Sequence, residues 1–179
     1  MVIAVSGKMA AGKNYVCSKM EKEGWASVDA DELVHEAIRL NQNKILEVFS
    51  KPAKAHNLSI QNQDGSINRR ELGKLLFCEK ELLSIQESIV YPVISKMIDE
   101  FIASHEKTII NATVLYKTPE ILARCEKIIF VTAPFFKRLF RSKKRDGLSF
   151  FQIIKRFRTQ KNLLQEYKKT GLPIEIVRN

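Results

Sequence analysis

The chain has 179 residues and 45% hydrophobic content, enough for one domain with a buried core and a lid or small subdomain. No run is long and apolar enough to span a membrane as a helix, and no basic segment precedes an apolar one at the N-terminus, so neither a span nor a secretory signal is expected. The formal net charge is +10, much of it between Lys137 and Lys169, without the interleaved aromatic or glycine repeat of RNA modules; a phosphate-rich small molecule suits it better than nucleic acid.

Met1 to Val5 is an apolar start that reads as a strand buried on both faces. The loop Gly7-Lys8-Met9-Ala10-Ala11-Gly12-Lys13-Asn14 follows, and Asn14 to Glu23 reads as a helix ended by Gly24. Strand, glycine loop with lysine, then helix is the setting of a P-loop. A loop without bulky side chains can turn its backbone N–H groups around a phosphate, and the helix N-terminus adds its positive dipole end. Lys13 is expected to reach the β- and γ-phosphates of a nucleoside triphosphate. Position 14 usually carries the Ser or Thr hydroxyl that holds Mg²⁺. Asn14 offers instead a neutral, hard oxygen that Mg²⁺ can accept directly or through a water.

Trp25 to Val28 reads as a short second strand running into Asp29-Ala30-Asp31. Glu32 to Leu40 is then a helix that Asp29 or Asp31 can cap, and Asn43 to Phe49 is a further helical piece. Ser59 to Asn68 is polar and holds the turn signal Asp64-Gly65. Arg69 to Phe77, Glu79 to Tyr91 and Val93 to Ser104 read as helices, with Pro92 at an end or a kink. This helical block is too long for one crossover and reads as an inserted substrate-binding region.

Thr108 to Ala112 is a third strand, Pro119 to Cys125 a short helix, and Lys127 to Thr132 a strand rich in β-branched residues. Pro134 to Arg141 reads as a helix, Lys143 to Gly147 as a charged break, and Phe150 to Lys161 as a helix capped by Ser149. Leu172 to Val177 reads as the last strand. Strands alternating with helices imply an α/β fold with a parallel sheet. Cys17, Cys78 and Cys125 are odd in number and form no metal-ligand spacing, so they are expected to be reduced thiols of a cytoplasmic protein.

In a parallel sheet the C-terminal strand ends line the ligand crevice. Strand one delivers the glycine loop there, and strand two delivers Asp29 and Asp31. A carboxylate beside a γ-phosphate can take the proton of an attacking hydroxyl or help hold Mg²⁺. Asp29 serves equally as a helix cap, so Asp31 is the candidate base. A second constellation is Arg138, Arg141, Lys143, Lys144 and Arg145, ahead of Asp146-Gly147. Guanidinium groups stabilise charge on a transferring phosphoryl, and a break between two helices can close as a lid. Lys143 and Lys144 read as solvated surface charges; Arg141 and Arg145 are the candidates.

These residues together resemble the dephospho-CoA kinase family of P-loop kinases over nearly the whole chain. Val28-Asp29-Ala30-Asp31 is similar to the family's Asp-Ala-Asp motif. Gly65-Ser66-Ile67-Asn68-Arg69-Arg70-Glu71-Leu72 followed by Phe77 is similar to its Gly-x-Leu-x-Arg-x-x-Leu…Phe stretch. Ile89 to Ile94 falls where the family has a His-Pro pair, Arg141 to Ser149 looks like its lid, and Arg156 to Gln160 like its Arg-x-x-x-Gln helix. Ile176 to Asn179 falls where a family strand ends in Asn.

The resemblance implies a three-layer α/β/α core over about 1–32, 106–136 and 162–179, a helical substrate-binding region over about 33–105 and a lid over about 137–161. It implies transfer of the γ-phosphate of ATP to the ribose 3′-hydroxyl of dephospho-CoA by a cytoplasmic monomer using Mg²⁺. In that scheme Asp31, Lys13 and Arg141 are catalytic. Lys8, Met9, Ala10, Ala11, Gly12, Lys13, Asn14, Tyr15 and Arg145 bind ATP. Asp31, Arg69 and Tyr91 bind the acceptor, and Asn14 holds the metal. The chain departs from the family at Asn14, at Tyr91 in place of His, and at Thr113 to Lys117, where a Pro and a Glu are lost; the family also continues past the position of Asn179. Two other readings stand beside this one: another small-molecule P-loop kinase, acting on a nucleoside, nucleotide or shikimate-like alcohol, and a non-catalytic nucleotide- or CoA-binding protein.

Overall fold

The apolar run after Met1 forms the central strand of a five-stranded sheet in a computed structural model that describes residues 1–147 and 149–179. Leu148, which falls within the lid motif, lies outside the described residues. The strands are β1 (Val2–Gly7), β2 (Ala26–Asp29), β3 (Thr108–Asn111), β4 (Lys127–Thr132) and β5 (Ile174–Arg178), in the order β2-β3-β1-β4-β5. All four pairings are parallel. Ile3, Ala4 and Val5 are fully buried, as are Ile128 and Val131, which is why the inner strands read as continuous apolar runs. β3 and β4 flank β1 on opposite sides, so the strand order switches at the end of β1, where open α/β sheets place their ligands.

The chain divides into two units. The first comprises Met1–Ala30 and Glu100–Asn179 and holds the whole sheet. Helix α1 (Lys13–Glu21) packs Val16 and Cys17 against Ile3, Val5, Ile109 and Val131. The second unit, Asp31–Asp99, is helical. Its helices are α2 (Ala30–Leu40, from Asp31), α3 (Gln42–Ala55), α4 (Arg69–Cys78) and α5 (Lys80–Ala103, up to Asp99). Ile45, Phe49, Leu72, Leu75, Ile94 and Ile98 are among its buried residues. Asn68 caps α4 by accepting from Glu71 N at 3.2 Å. The remaining helices, all in the first unit, are α6 (Pro119–Leu122), α7 (Phe135–Asp146), α8 (Phe150–Thr159) and α9 (Leu163–Lys168).

Several expected boundaries are corrected. The charged break at Lys143 to Gly147 is helical up to Asp146, and α7 stops only at Gly147, with φ 62. Cations in a last turn favour the helix dipole, so Lys143, Lys144 and Arg145 extend the helix rather than end it. Pro92 neither ends nor splits α5, which runs unbroken from Lys80 to Ala103. Ile89, Val90 and Ile94 are buried on either side of it, so packing outweighs the lost hydrogen bond. α3 continues past Phe49 because Ala53, four residues on, is buried on the same stripe. α2 begins at Ala30, which places Asp31 inside its first turn, and α9 lies in a stretch for which no element is expected from the sequence. Ser149 does cap α8, in a capping box with Gln152.

Candidate active site

The chain leaves β1 at Gly7, where a side chain has no room. A Cβ there would lie 2.3 Å from the carbonyl oxygen of Val131 on β4. The loop closes on itself through Ala11 N, which donates to Lys8 O at 3.0 Å, and passes through Ala10 at φ 59. Gly12 follows in a left-handed conformation, φ 99, directly before α1. Gly12 makes no side-chain cap hydrogen bond to α1, and the N-terminal amides of a helix are suited to an anion.

Lys13, the first residue of α1, directs Nζ at Thr113 Oγ1, 3.0 Å away beyond the end of β3. Asn14 is engaged by its neighbour strand: Asn111 Nδ2 donates to Asn14 Oδ1 at 3.0 Å and to Asp29 Oδ2 at 3.1 Å. Asp29 and Asn111 are partners in the β2–β3 register, which is what brings the three oxygen-bearing side chains together. Asn111 is 5% exposed, and its Oδ1 has no hydrogen-bond partner among the described residues.

The far side of the loop is held by residues distant in sequence. Arg138 Nε donates to Met9 O at 2.9 Å, and Met9 N donates to Gln160 Oε1 at 2.6 Å. Arg141 Nη1 and Asn179 Nδ2 donate to Ala11 O at 3.4 and 3.0 Å. Of the two arginines favoured by the sequence, Arg141 therefore reaches the loop. Arg145 is instead tied to its neighbour, with bonds of 2.7 and 3.0 Å to Asp146. That pair raises the Arg145 pKa and holds the Asp146 carboxyl below its usual range. Arg138, set aside in favour of those two, is the buried cation of the group. Burial, and then the charge of Arg138, lower the pKa of Lys8. Tyr15 is 57% exposed, with Lys19 Nζ 5.4 Å over its ring.

The other expected site residues belong to the helical unit. Asp31 lies in the first turn of α2. Arg69 opens α4 and lines a cleft of about 780 Å³ with His35, Arg39, Gln42, Asn62 and Arg70. Tyr91 on α5 is not among the lining residues of that cleft; its hydroxyl donates to Glu87 Oε1 at 3.0 Å. Burial, helped by Glu87, pushes the Tyr91 phenol up to about 12, so it remains a donor at neutral pH.

Residues 1–174 match the family model for dephospho-CoA kinase. The chain belongs to the dephospho-CoA kinase family. It is thus a phosphotransferase that phosphorylates dephospho-CoA to coenzyme A at the expense of ATP. It is 34% identical to the dephospho-CoA kinase of Treponema pallidum, over 89% of this chain and 78% of that one. The solved structure of TT1252 from Thermus thermophilus shares the fold at a TM-score of 0.82, with 22% identity, across 100% of this chain and 89% of that one. The dephospho-CoA kinase from Campylobacter jejuni shares it at 0.69, again with 22% identity, across 99% and 88%.

Asn111 and Thr113 entered no sequence-based site, although a polar residue ending an apolar strand beside the ligand crevice was a usable signal. Gln160 and Asn179 were visible only as the ends of family motifs.

Proposed function

We propose that the loop from Lys8 to Tyr15 binds ATP and that its γ-phosphoryl passes to the ribose 3′-hydroxyl of dephospho-CoA, with Asp31 taking the hydroxyl proton. The observation that carries this reading is the phosphate loop itself: an uncapped helix start behind Gly12, with the Lys13 ammonium fixed by Thr113 at 3.0 Å. Lys13 and Arg141 stabilise charge on the transferring phosphoryl. Arg145 joins them only by exchanging Asp146 for a phosphate oxygen. Arg69 and the neighbouring Arg70 and His35 supply cationic or donor groups for the anionic acceptor, with Tyr91 as a further donor.

Mg²⁺ fits the donor set at the end of β2 and β3. Asn14 Oδ1 and the Asp29 carboxylate, bridged by the Asn111 side-chain amide, are hard oxygens on adjoining elements. Among the described residues no group of three or more His, Cys, Asp and Glu could hold a metal, so phosphate oxygens and water would complete the shell. When bound, the ion neutralises charge on the β- and γ-phosphates. Among the described residues no helix is long and apolar enough to cross a membrane. We place the enzyme in the cytoplasm as a monomer, without a nucleic-acid partner; the free thiols Cys17, Cys78 and Cys125 suit a reducing compartment.

The test is ADP release from ATP-Mg²⁺ with and without dephospho-CoA, for the native chain and Asp31→Ala. Release that depends on dephospho-CoA and disappears in the variant is expected. Full activity in Asp31→Ala would remove Asp31 from the base role, and phosphate on any other hydroxyl of the product would overturn the site of transfer.

A further inference from the structure

Met9 has both backbone polar groups bonded to side chains from outside the loop. Arg138 of α7 donates to its carbonyl at 2.9 Å, and Gln160, just past α8, accepts from its N–H at 2.6 Å. The next residue, Ala10, is left-handed at φ 59 without being glycine. Such backbone persists only where the surroundings over-determine it. A loop that must present several amides to one anion therefore needs an external hold, and the two peptide groups flanking Met9 are where it is gripped.

The environment of Arg138 is unusual for a cation. It is 7% exposed, has no ion pair among the described residues, and its Nη2 has no hydrogen-bond partner among them. Its guanidinium lies 4.1 Å from the ring centroid of Phe157, which in turn meets Phe135 edge-on at 5.7 Å. Arginines are rarely buried without a counter-ion, because desolvation costs several kcal/mol. The aromatic bed fixes the direction of Nε toward Met9. The same charge acts on Lys8 and, with burial, lowers its pKa. Two cations thus repel each other beside the loop, and a bound polyanion relieves that repulsion.

We propose that Arg138 and Gln160 are positioning residues for nucleotide binding, clamping the backbone of Met9 between α7 and the end of α8 so that the phosphate loop is shaped before ATP arrives. Arg138 also adds, with Lys8, positive potential that the triphosphate answers. The inference rests on the reading of Lys8 to Tyr15 as the ATP loop. It assigns the preparation of that loop to two residues with no role in the transfer itself.

The experiment measures the ATP Kd by calorimetry without acceptor, then kcat and both KM values, on the full chain. The variants are Arg138→Met, Arg138→Lys, Gln160→Leu and the Arg138→Met/Gln160→Leu double. Each removal of a Met9 bond is expected to raise the ATP Kd about tenfold, because the competent loop becomes a minor state. The KM for dephospho-CoA should stay within about twofold. Arg138→Lys, which keeps charge without the directed Nε, should fall between Arg138→Met and the native chain. The double variant should lose less than the product of the singles, since both bonds hold one residue. Amide exchange at Met9 to Gly12 should quicken in Gln160→Leu.

An unchanged ATP Kd in the folded variants would overturn the proposal, as would an equal rise in the dephospho-CoA KM. If the Met or Leu variants fail to fold, Arg138→Lys and Gln160→Asn decide by the same Kd criterion. Failure of the native chain to bind ATP would overturn the loop's assignment instead, and this inference with it.

Discussion

Asn179 closes over Gly12. Its side-chain amide donates to Ala11 O at 3.0 Å, and a Cβ on Gly12 would stand 1.8 Å from that same nitrogen. The backbone of Asn179 is itself fixed, its N–H donating to Thr132 O at 2.8 Å at the end of β4. The last residue of the sequence thus sets the size limit on the last glycine of the phosphate loop.

Gly12→Ala should therefore strain the loop twice, through its φ of 99 and through the collision with Asn179. Left-handed strain and a displaced partner together cost about 3 kcal/mol, so the ATP Kd should rise about 100-fold. Asn179→Ala should act more weakly, about fivefold to tenfold, by freeing the Ala11 carbonyl. Calorimetric titration with ATP, with circular dichroism to verify folding, checks both. A Gly12→Ala variant that binds ATP normally would show that the loop rearranges around the substitution.

The amide pair Asn14 and Asn111 should set the metal requirement. Asn14→Leu removes a hard oxygen of the proposed Mg²⁺ donor set, and the Mg²⁺ concentration for half-maximal rate should rise about tenfold, with Asn14→Ser restoring most of the loss. Asn111→Leu should act in the same direction, since it removes the donor that holds Asn14 Oδ1 and the Asp29 carboxylate side by side. Rate measured against Mg²⁺ at fixed ATP gives the answer. An unaltered Mg²⁺ dependence in both variants would place the ion elsewhere.

Tyr167 should make the fold sensitive to alkali. It is fully buried; its hydroxyl accepts from Leu115 N at 2.9 Å and donates to Thr113 O at 3.2 Å. Burial pushes its phenol from 10.0 to about 12. A raised pKa means that the neutral form is favoured in the folded state. The stability it carries is complete below pH 10.0 and is lost as pH rises toward 12. Tyr167→Phe should cost about 1–3 kcal/mol at pH 8 by orphaning the Leu115 N–H, while Thr113 O keeps its bond from Ser6 Oγ. The same variant should flatten the fall of stability above pH 10.0. Urea denaturation at stepped pH checks both effects.

The three thiols should separate by reactivity. Burial raises Cys17 to about 11 and Cys125 to about 12, whereas Cys78 is exposed at the end of α4. Thiolate is the reactive form, so a disulfide reagent at pH 8 should label Cys78 at once and the other two only on unfolding. Rapid labelling of Cys17 without denaturant would mean that α1 opens readily from the sheet.

The sequence by itself determined the parts of this protein whose cause is local. An apolar run, a glycine loop with Lys13 and a helix stand next to one another in the chain, so the phosphate loop was legible as written. So were β4, with its β-branched run, and the placing of Asp29 at the end of β2, whereas Asp31 belongs to the first turn of α2. Only the tertiary structure decided which side chains grip the loop. Arg138, Gln160 and Asn179 act on it across 129, 151 and 168 residues, and no spacing rule reaches so far. It decided too that Arg145 faces Asp146, and that Asn111 joins Asn14 to Asp29 through the β2–β3 register. Helix ends followed the same division. Pro92 and the Lys143 to Gly147 run carry local signals for a stop, yet burial of the flanking apolar residues carried α5 through Pro92, and the helix dipole let α7 continue to Asp146. Local propensity amounts to about 1–3 kcal/mol at such a point, and the packing of a buried stripe outweighs it.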